Sequence, residues 1–111
     1  ILGGAGSDVM KGGAGSDIFR FYAADVTTFT ADQITDFTSG QDKIDLKQIY
    51  PGGGRFTFIG TQAFHNVVGE LHYSVVNGSA LIEGDINGDG KADFAIKLDA
   101  VTKLSASDFV I

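Results

Sequence analysis

Two consecutive nonapeptides near the start of the chain combine glycine with a regularly spaced carboxylate. Residues 3–11 and 12–20 share their first six positions, Gly-Gly-Ala-Gly-Ser-Asp, and differ only conservatively in the last three. Glycine permits the positive φ angles that expose backbone carbonyls in a tight turn. Carbonyl and carboxylate oxygens, without nitrogen or sulfur, are the ligands of a hard cation such as Ca²⁺. We therefore predict calcium ligands in both loops, namely Gly4, Gly6, Asp8, Gly13, Gly15 and Asp17.

A flexible linker and a phosphate-binding loop are the alternatives to a metal loop. A linker would not repeat an aspartate and a large apolar residue at a fixed spacing. A phosphate loop would continue with Gly-Lys-Ser or Gly-Lys-Thr, and Asp8 and Asp17 would repel the phosphate. Glycine-rich nonapeptides of this pattern are a sequence signature of calcium-binding parallel β-helices. We therefore predict a short strand after each loop, with Met10 and Phe19 pointing inward.

The arrangement of the two loops predicts which sites are complete. If each nonapeptide is half a turn of a coil, loops 3–8 and 12–17 lie on opposite edges, and each ion lies between loops two units apart. Loop 3–8 then needs acidic residues downstream, and Asp25 and Asp32 follow it. Loop 12–17 needs an upstream partner. We predict a bridged site from loop 3–8 to Asp25 and Asp32, and a weaker half-site at loop 12–17.

A second acidic loop lies near the end of the chain. Its candidate ligands are Asp85, Asn87, Asp89, the carbonyl of Lys91, and Asp93. This order matches the first half of an EF-hand loop, but the twelfth position, which should be a bidentate Glu, is Ile96. Because the flanking residues are typical of strands, we predict a strand-loop-strand calcium site. The alternative is an acidic turn in which Asp and Asn side chains accept hydrogen bonds from their own backbone.

Composition indicates one modest β-rich domain. The 111 residues are 43% hydrophobic and include 16 glycines but one proline, which favours a folded chain with many tight turns. The predicted strands are 33–37, 43–46, 55–59, 70–76, 79–83, 92–98 and 108–111, with one helical turn over 46–50. Asn77-Gly78 predicts a type I′ turn between two strands of a hairpin.

The net charge and the remaining polar residues limit the classes of binding partner and of metal site that fit this chain. The net charge of −6 argues against nucleic acid and against stable association with an anionic membrane surface. The chain has no cysteine, so neither disulfides nor thiolate metal sites can form. His65 and His72 fall in different predicted elements, which favours packing roles over a zinc site. We also predict surface ion pairs among alternating acids and lysines, namely Asp36, Asp42, Asp45, Lys43 and Lys47.

The whole chain resembles the C-terminal RTX (hemolysin-type calcium-binding) module of serralysin-type secreted metalloproteases. Besides the nonapeptides, the resemblance rests on the segments 32–37, 39–46, 58–60, 69–71, 84–94 and 107–111. It implies an all-β fold, with the end of a parallel β-roll over 1–32 and a β-sandwich, jelly-roll-like, over 33–111. In that family an acidic pair seven residues apart closes the last calcium site, and Asp25 and Asp32 have this spacing.

The resemblance also implies a secreted module that folds on calcium outside the cell. Family members leave Gram-negative bacteria through a type I exporter that reads an uncleaved C-terminal signal, and residues 100–111 resemble one. The same ending would also suit a last strand, and both hold if export precedes folding. Because no His-Glu-x-x-His motif occurs, we expect no enzyme in this chain and a catalytic domain upstream in the parent. The alternative is a carbohydrate- or surface-binding accessory module of a polysaccharide-modifying enzyme such as a mannuronan epimerase.

Overall fold

A computed structural model describes residues 9–22, 32–48 and 56–111. In these ranges the chain forms nine strands and one short 3₁₀ turn. The strands are β1 (Val9–Met10), β2 (Ile18–Tyr22), β3 (Asp32–Ile34), β4 (Lys43–Gln48), β5 (Thr57–Phe58), β6 (Glu70–Val76), β7 (Ser79–Asp85), β8 (Phe94–Leu98) and β9 (Phe109–Val110). The 3₁₀ turn spans Ala106–Asp108, directly before β9. In the described part of the chain, no helix is long and apolar enough to cross a membrane.

The strands form two sheets, and the first four strands alternate between them. One sheet has six strands in the order β1-β3-β8-β7-β6-β5, and the other has three in the order β2-β4-β9. β1 pairs in parallel with β3, and β2 pairs in parallel with β4. This alternation is one coil of a parallel roll, so the all-β prediction is confirmed.

The C-terminal strands extend both faces of this roll. β8 pairs in parallel with β3, and β9 pairs in parallel with β4. β7 pairs antiparallel with both β6 and β8, and these three strands form a meander that widens the larger sheet. The predicted division into 1–32 and 33–111 stays a prediction, and β3 and β4, which follow residue 32, continue the parallel pairing of β1 and β2.

The core lies where the inward faces of the two sheets meet. Met10 and Phe19 are buried, as predicted, and their strand neighbours supply the rest of the core. The fully buried side chains include Phe21, Ile34, Ile44, Leu46, Leu71, Ile82, Phe94, Ile96 and Leu98. Alternate residues of a strand point to one face, so each strand contributes one apolar row to this core.

The hairpin between β6 and β7 has the predicted turn. Asn77 and Gly78 have φ angles of 53° and 78°, the positive pair that a type I′ turn requires. The seven-residue strands pair from Val76↔Ser79 to Glu70↔Asp85, so β7 is two residues longer than expected. This length places Asp85 at the mouth of the second acidic loop.

Several predicted elements have different bounds in the structure. The strand predicted over 33–37 is Asp32–Ile34, and the strand predicted over 92–98 begins at Phe94. The predicted helical turn over 46–50 is wrong for Leu46–Gln48, which continue β4, and residues 49–50 lie outside the described residues. Leu46 is fully buried in the core, so pairing with β2 outweighs any helical preference. The strand predicted over 55–59 is reduced to Thr57–Phe58, and residue 55 lies outside the described residues.

Candidate metal centres

The second acidic loop connects β7 to β8 and is organised by the carboxylate of Asp85. This side chain is fully buried, and its Oδ1 and Oδ2 accept hydrogen bonds from the N–H groups of Gly88 and Gly90, both at 2.8 Å. Gly88 and Gly90 each have a φ of +79°, a conformation that side-chain-bearing residues rarely adopt. Asp85 and these two glycines therefore set the curvature of the loop.

Asp93 closes the loop from its other end. Its Oδ2 accepts hydrogen bonds from the N–H of Ile86 at 2.7 Å and of Asn87 at 3.3 Å. Within the loop, Asn87 Oδ1 accepts the N–H of Asp89 at 3.2 Å, and Asp89 Oδ1 accepts the N–H of Lys91 at 2.9 Å. The hydrogen bonds expected of an acidic turn are thus present. They do not exclude a cation, because each carboxylate oxygen has a second lone pair.

Three carboxylates converge in this loop. One oxygen from each of Asp85, Asp89 and Asp93 lies within 4.8 Å of the other two. Among the described residues, this is the one group of three or more acidic, histidine or cysteine side chains with a metal-binding arrangement. Of the five predicted ligands here, the structure brings these three carboxylates together, and the roles of Asn87 and of the carbonyl of Lys91 as ligands stay predictions.

A neighbouring loop covers the acidic loop, which the sequence did not indicate. A Cβ atom added to Gly90 would overlap Asn66 Oδ1, and one added to Gly88 would lie 3.0 Å from Val68. The N–H of Gly69 also donates to the carbonyl of Asp85 at 2.8 Å. Gly88 and Gly90 are therefore required both for their φ angles and for this close approach.

The nonapeptide loop 12–17 contains a carboxylate oxygen that fits a cation. Gly13 and Gly15 have φ angles of 83° and 90°, as a glycine-rich turn requires. Asp17 folds back over Gly12, where an added Cβ would lie 2.5 Å from Asp17 Oδ2. This Oδ2 is buried and accepts no hydrogen bond from the residues that the structure describes. A buried carboxylate oxygen without a donor is costly, and a bound cation would satisfy it.

Loop 35–42 stacks directly beneath loop 12–17. Asp36 accepts hydrogen bonds from the N–H of Gly12 at 2.9 Å and of Gly13 at 2.7 Å. These bonds, first that from Gly12 and then that from Gly13, hold the pKa of Asp36 below its ordinary value. Asp42 Oδ1 accepts the N–H of Asp17 at 2.9 Å. Loop 35–42 thus contacts both ends of the last nonapeptide loop.

The predicted surface ion pairs of Asp36, Asp42 and Asp45 are wrong. Asp42 and Asp45 are buried, with 3% and 6% of their surfaces exposed. Asp45 pairs with Arg20 Nε at 3.0 Å. The contacts of Asp42 and Asp45 depend on the buried side of β4 and on the stacking of loops. A local charge pattern reveals neither. A local signal for Asp42 does exist, since Gly40-Gln41-Asp42 repeats the Gly-x-Asp order of the nonapeptides, and Gly40 has the matching φ of +86°.

The predicted bridged site lies largely outside the described residues. Gly4, Gly6, Asp8 and Asp25 fall there, so their roles as ligands stay predictions. Asp32 is described and is fully buried at the start of β3, opposite Ile96 of β8. A buried acid at this position accords with the role predicted for it, and the role itself also stays a prediction.

The two histidines bind different carboxylates. His65 Nδ1 lies 2.6 Å from Glu70 Oε2, and His72 Nε2 lies 3.0 Å from Glu83 Oε1. The backbone N–H of His65, followed by its side chain, lowers the pKa of Glu70. His72 also stacks on Phe64 at a ring-centroid distance of 3.9 Å. The two rings therefore hold the loop before β6 in place, a packing role as expected.

The C-terminal acid is part of the folded structure. Asp108 is 1% exposed and accepts hydrogen bonds from Ser39 Oγ at 2.8 Å and from the N–H groups of Gly40 and Ser105, both at 2.9 Å. Burial by itself would raise the pKa of Asp108, but these hydrogen bonds outweigh it and lower the pKa below the ordinary value. Phe109, the next residue, is also buried.

Parallel strands that alternate between two sheets, joined at their edge by stacked glycine-aspartate loops, define a module of the RTX β-roll type. Modules of this type bind calcium. A sequence model described as Peptidase M10 serralysin C terminal matches residues 1–111. The chain therefore belongs to the family of serralysin C-terminal modules, as its motifs predicted.

Individual relatives agree with this family. Over 80 residues, or 72% of this chain, the sequence is 40% identical to the metallopeptidase AprA of Pseudomonas marginalis, and the match spans 16% of AprA. The fold is similar to two solution structures of subunits of the Azotobacter vinelandii mannuronan C5-epimerase. AlgE6R3 has a TM-score of 0.66 at 27% identity over 98% of this chain and 60% of that one. AlgE6R2 has a TM-score of 0.65 at 25% identity over 99% of this chain and 68% of that one.

Proposed function

We propose that the chain is the calcium-dependent folding module of a larger secreted protein, a serralysin-like metalloprotease whose catalysis takes place outside these residues. The convergence of Asp85, Asp89 and Asp93 oxygens within 4.8 Å carries this proposal. Three negative charges so close together repel one another when no cation is bound. The buried Oδ2 of Asp17, which accepts no hydrogen bond from the residues that the structure describes, adds a second place where a cation would fit.

Two sets of residues would bind calcium. Asp85, Asp89 and Asp93 would hold one ion in the second acidic loop, and Asp17, with the carbonyls around Gly13 and Gly15, would contribute to another. Bound calcium supplies positive charge that cancels the repulsion, so its binding free energy becomes folding free energy. Extracellular calcium modules have dissociation constants of roughly 10⁻⁴–10⁻³ M. Such affinity would leave the chain unfolded in a calcium-poor cytoplasm and folded outside.

The donor chemistry favours calcium over zinc. The converging side chains offer only carboxylate oxygens, and the chain has no cysteine. Zinc sites are usually built from cysteine and histidine, whereas calcium takes six to eight oxygen ligands in flexible geometry. The histidines are already bound to Glu70 and Glu83.

Calcium-dependent folding would have to follow export. Asp108 and Phe109 are buried in the folded chain, and Phe109 belongs to β9, which completes the sheet of β2 and β4. A type I exporter that reads the last residues would therefore have to engage them before the module folds. The absence of cysteine suits a chain that crosses a membrane unfolded.

A calcium titration with site variants tests this function. We expect isothermal calorimetry to detect calcium binding by the 111-residue chain, and the variants Asp17→Asn and Asp93→Asn each to remove part of the bound calcium. The matched control is Asp99→Asn, which removes one negative charge from an acid that binds Gln33 outside both loops. Wild-type binding that the two site variants leave unchanged would contradict the proposed sites.

The carbohydrate-binding alternative is supported by the similarity to the mannuronan epimerase subunits, but it is the weaker of the two. That function predicts a basic or aromatic groove. One cavity among the described residues, of about 280 Å³, is lined by Val76, Asn77, Ser79, Leu81 and Lys97, which include one cation and no aromatic ring. With a net charge of −6, the chain would also repel an acidic polysaccharide.

A further inference from the structure

Two carboxylates of loop 35–42 hold the last nonapeptide loop from below. Asp36 binds the start of that loop through the N–H groups of Gly12 and Gly13, at 2.9 and 2.7 Å. Asp42 binds its end through the N–H of Asp17, at 2.9 Å. The N–H of Lys43 also donates to the carbonyl of Asp17 at 2.8 Å. We call Asp36 and Asp42 the carboxylate clamp.

The clamp is connected to the buried oxygen of Asp17 through Gly12. On one side of Gly12, the backbone N–H is held by Asp36. On the other side, the Asp17 carboxylate lies so close that an added Cβ would be 2.5 Å from its Oδ2. A shift of Gly12 would therefore displace this oxygen. Charge-assisted hydrogen bonds such as those of Asp36 are short and directional, which makes them suitable for fixing the position of Gly12.

We propose that Asp36 is a positioning residue for calcium: by holding Gly12 and Gly13, it fixes the Asp17 carboxylate in the orientation that loop 12–17 needs to bind the ion. This inference rests on the proposed function, because it requires calcium at loop 12–17. It assigns a role to an acid outside both nonapeptides and outside the acidic loop 85–93. Pre-organisation of this kind raises affinity because less conformational freedom is lost on binding.

The variant Asp36→Glu distinguishes the effect of the carboxylate's position from the effect of its negative charge. The variant keeps the negative charge, but its longer side chain cannot accept both N–H groups in the same geometry. The matched control is Asp45→Glu, which lengthens a buried acid on the adjoining strand that pairs with Arg20 and not with loop 12–17. Both variants are made in the full 111-residue chain.

The measurement is a chelator titration of the calcium-loaded chain, followed by ¹⁵N–¹H correlation spectra, with enough sucrose to keep the metal-free chain folded so that each amide reports its own loop. The amide signal of Gly15 reports loop 12–17, and that of Gly90 reports the acidic loop 85–93. For Asp36→Glu we expect the calcium midpoint of Gly15 to rise on the order of tenfold, the effect of one well-placed hydrogen bond to a charged group, with the Gly90 midpoint unchanged. For Asp45→Glu we expect both midpoints to match the wild type.

Three results would overturn the inference. They are a wild-type Gly15 midpoint in Asp36→Glu, an equal shift of the Gly15 and Gly90 midpoints, and a failure of Asp36→Glu to fold at saturating calcium. The first would assign Asp36 a role through charge alone, and the other two would assign it to general stability. Failure of the proposed function looks different, because the wild-type Gly15 and Gly90 signals would then not respond to calcium at all.

Discussion

Replacing Asp89 with asparagine should have opposite effects with and without calcium. Asp89 is exposed, and the one described hydrogen bond of its side chain, from the N–H of Lys91 to Oδ1, can also be accepted by an asparagine oxygen. The substitution therefore keeps the turn and removes only a negative charge. That charge has two like neighbours, since the oxygens of Asp85 and Asp93 lie within 4.8 Å.

The magnitude follows from these distances. Two unit charges 4.8 Å apart repel by about 1 kcal/mol in water, so the two pairs that involve Asp89 cost about 2 kcal/mol, less some screening by salt. Without calcium, Asp89→Asn should thus raise the free energy of unfolding by about 1–2 kcal/mol. In saturating calcium the same gain is offset by the lost binding free energy, so a site weakened about a hundredfold, which loses about 2.7 kcal/mol, would lower the free energy of unfolding by about 1 kcal/mol net.

Circular dichroism in two buffers measures the change in the free energy of unfolding without calcium and with calcium. The metal-free comparison uses chelator with enough sucrose, which strengthens burial, to fold half of the wild-type chains. There, 1 kcal/mol corresponds to about a fivefold higher ratio of folded to unfolded chains for Asp89→Asn. The comparison with calcium uses urea unfolding. Thr102→Lys, an exposed substitution outside the loop with the same change in net charge, controls for overall charge.

Equal destabilisation by Asp89→Asn in both buffers would refute this reasoning. The loop would then be an acidic turn that is stabilised by its own hydrogen bonds. An increase in folded chains for Thr102→Lys as large as that for Asp89→Asn would instead assign the effect to net charge.

Three further substitutions test the fold around the sites. Asp108→Asn should lower the free energy of unfolding at pH 7 by about 2 kcal/mol. Because the pKa of Asp108 is lowered from 3.8 in the folded chain, this stabilisation is present above about pH 4 and lost as pH falls through the folded pKa. A difference between the urea midpoints of variant and wild type that does not shrink as pH falls below about 4 would contradict this account. Gly84→Ala should cost about 3 kcal/mol in urea unfolding, since its Cβ would overlap the buried Phe94 ring, and an unchanged midpoint would mean that the ring can move away. Asn77→Ala should lower thermal stability by about 1 kcal/mol, whereas Asn77→Gly should not, because residue 77 has a φ of 53°.

Features with a local cause could be predicted from the sequence. The nonapeptides predicted a parallel roll because glycine and aspartate recur at a fixed spacing, and β1 to β4 form such a coil. Asn77-Gly78 predicted the hairpin because a type I′ turn needs two positive φ angles. The acidic loop after β7 was also predicted, because alternating oxygens and a glycine identify a ligand loop without reference to distant residues.

Features that depend on stacking could not be predicted in this way. Asp36 reaches Gly12 across 24 residues, and Asp108 reaches Gly40 across 68. These contacts depend on the register of β3 on β1 and of β9 on β4, which a local charge pattern does not contain. The cover over Gly90 by Asn66 is a third example, since the two residues belong to separate connections.

The dependence of folding on calcium is the central claim, and one pair of ¹⁵N–¹H correlation spectra tests it directly. The 111-residue chain is recorded in calcium and then in excess chelator, without osmolyte. We predict dispersed amide signals in calcium, as expected for two packed sheets, and a collapse to the narrow range of an unfolded chain in chelator. Equally dispersed spectra in both conditions would contradict the account, because the module would then fold without the ion.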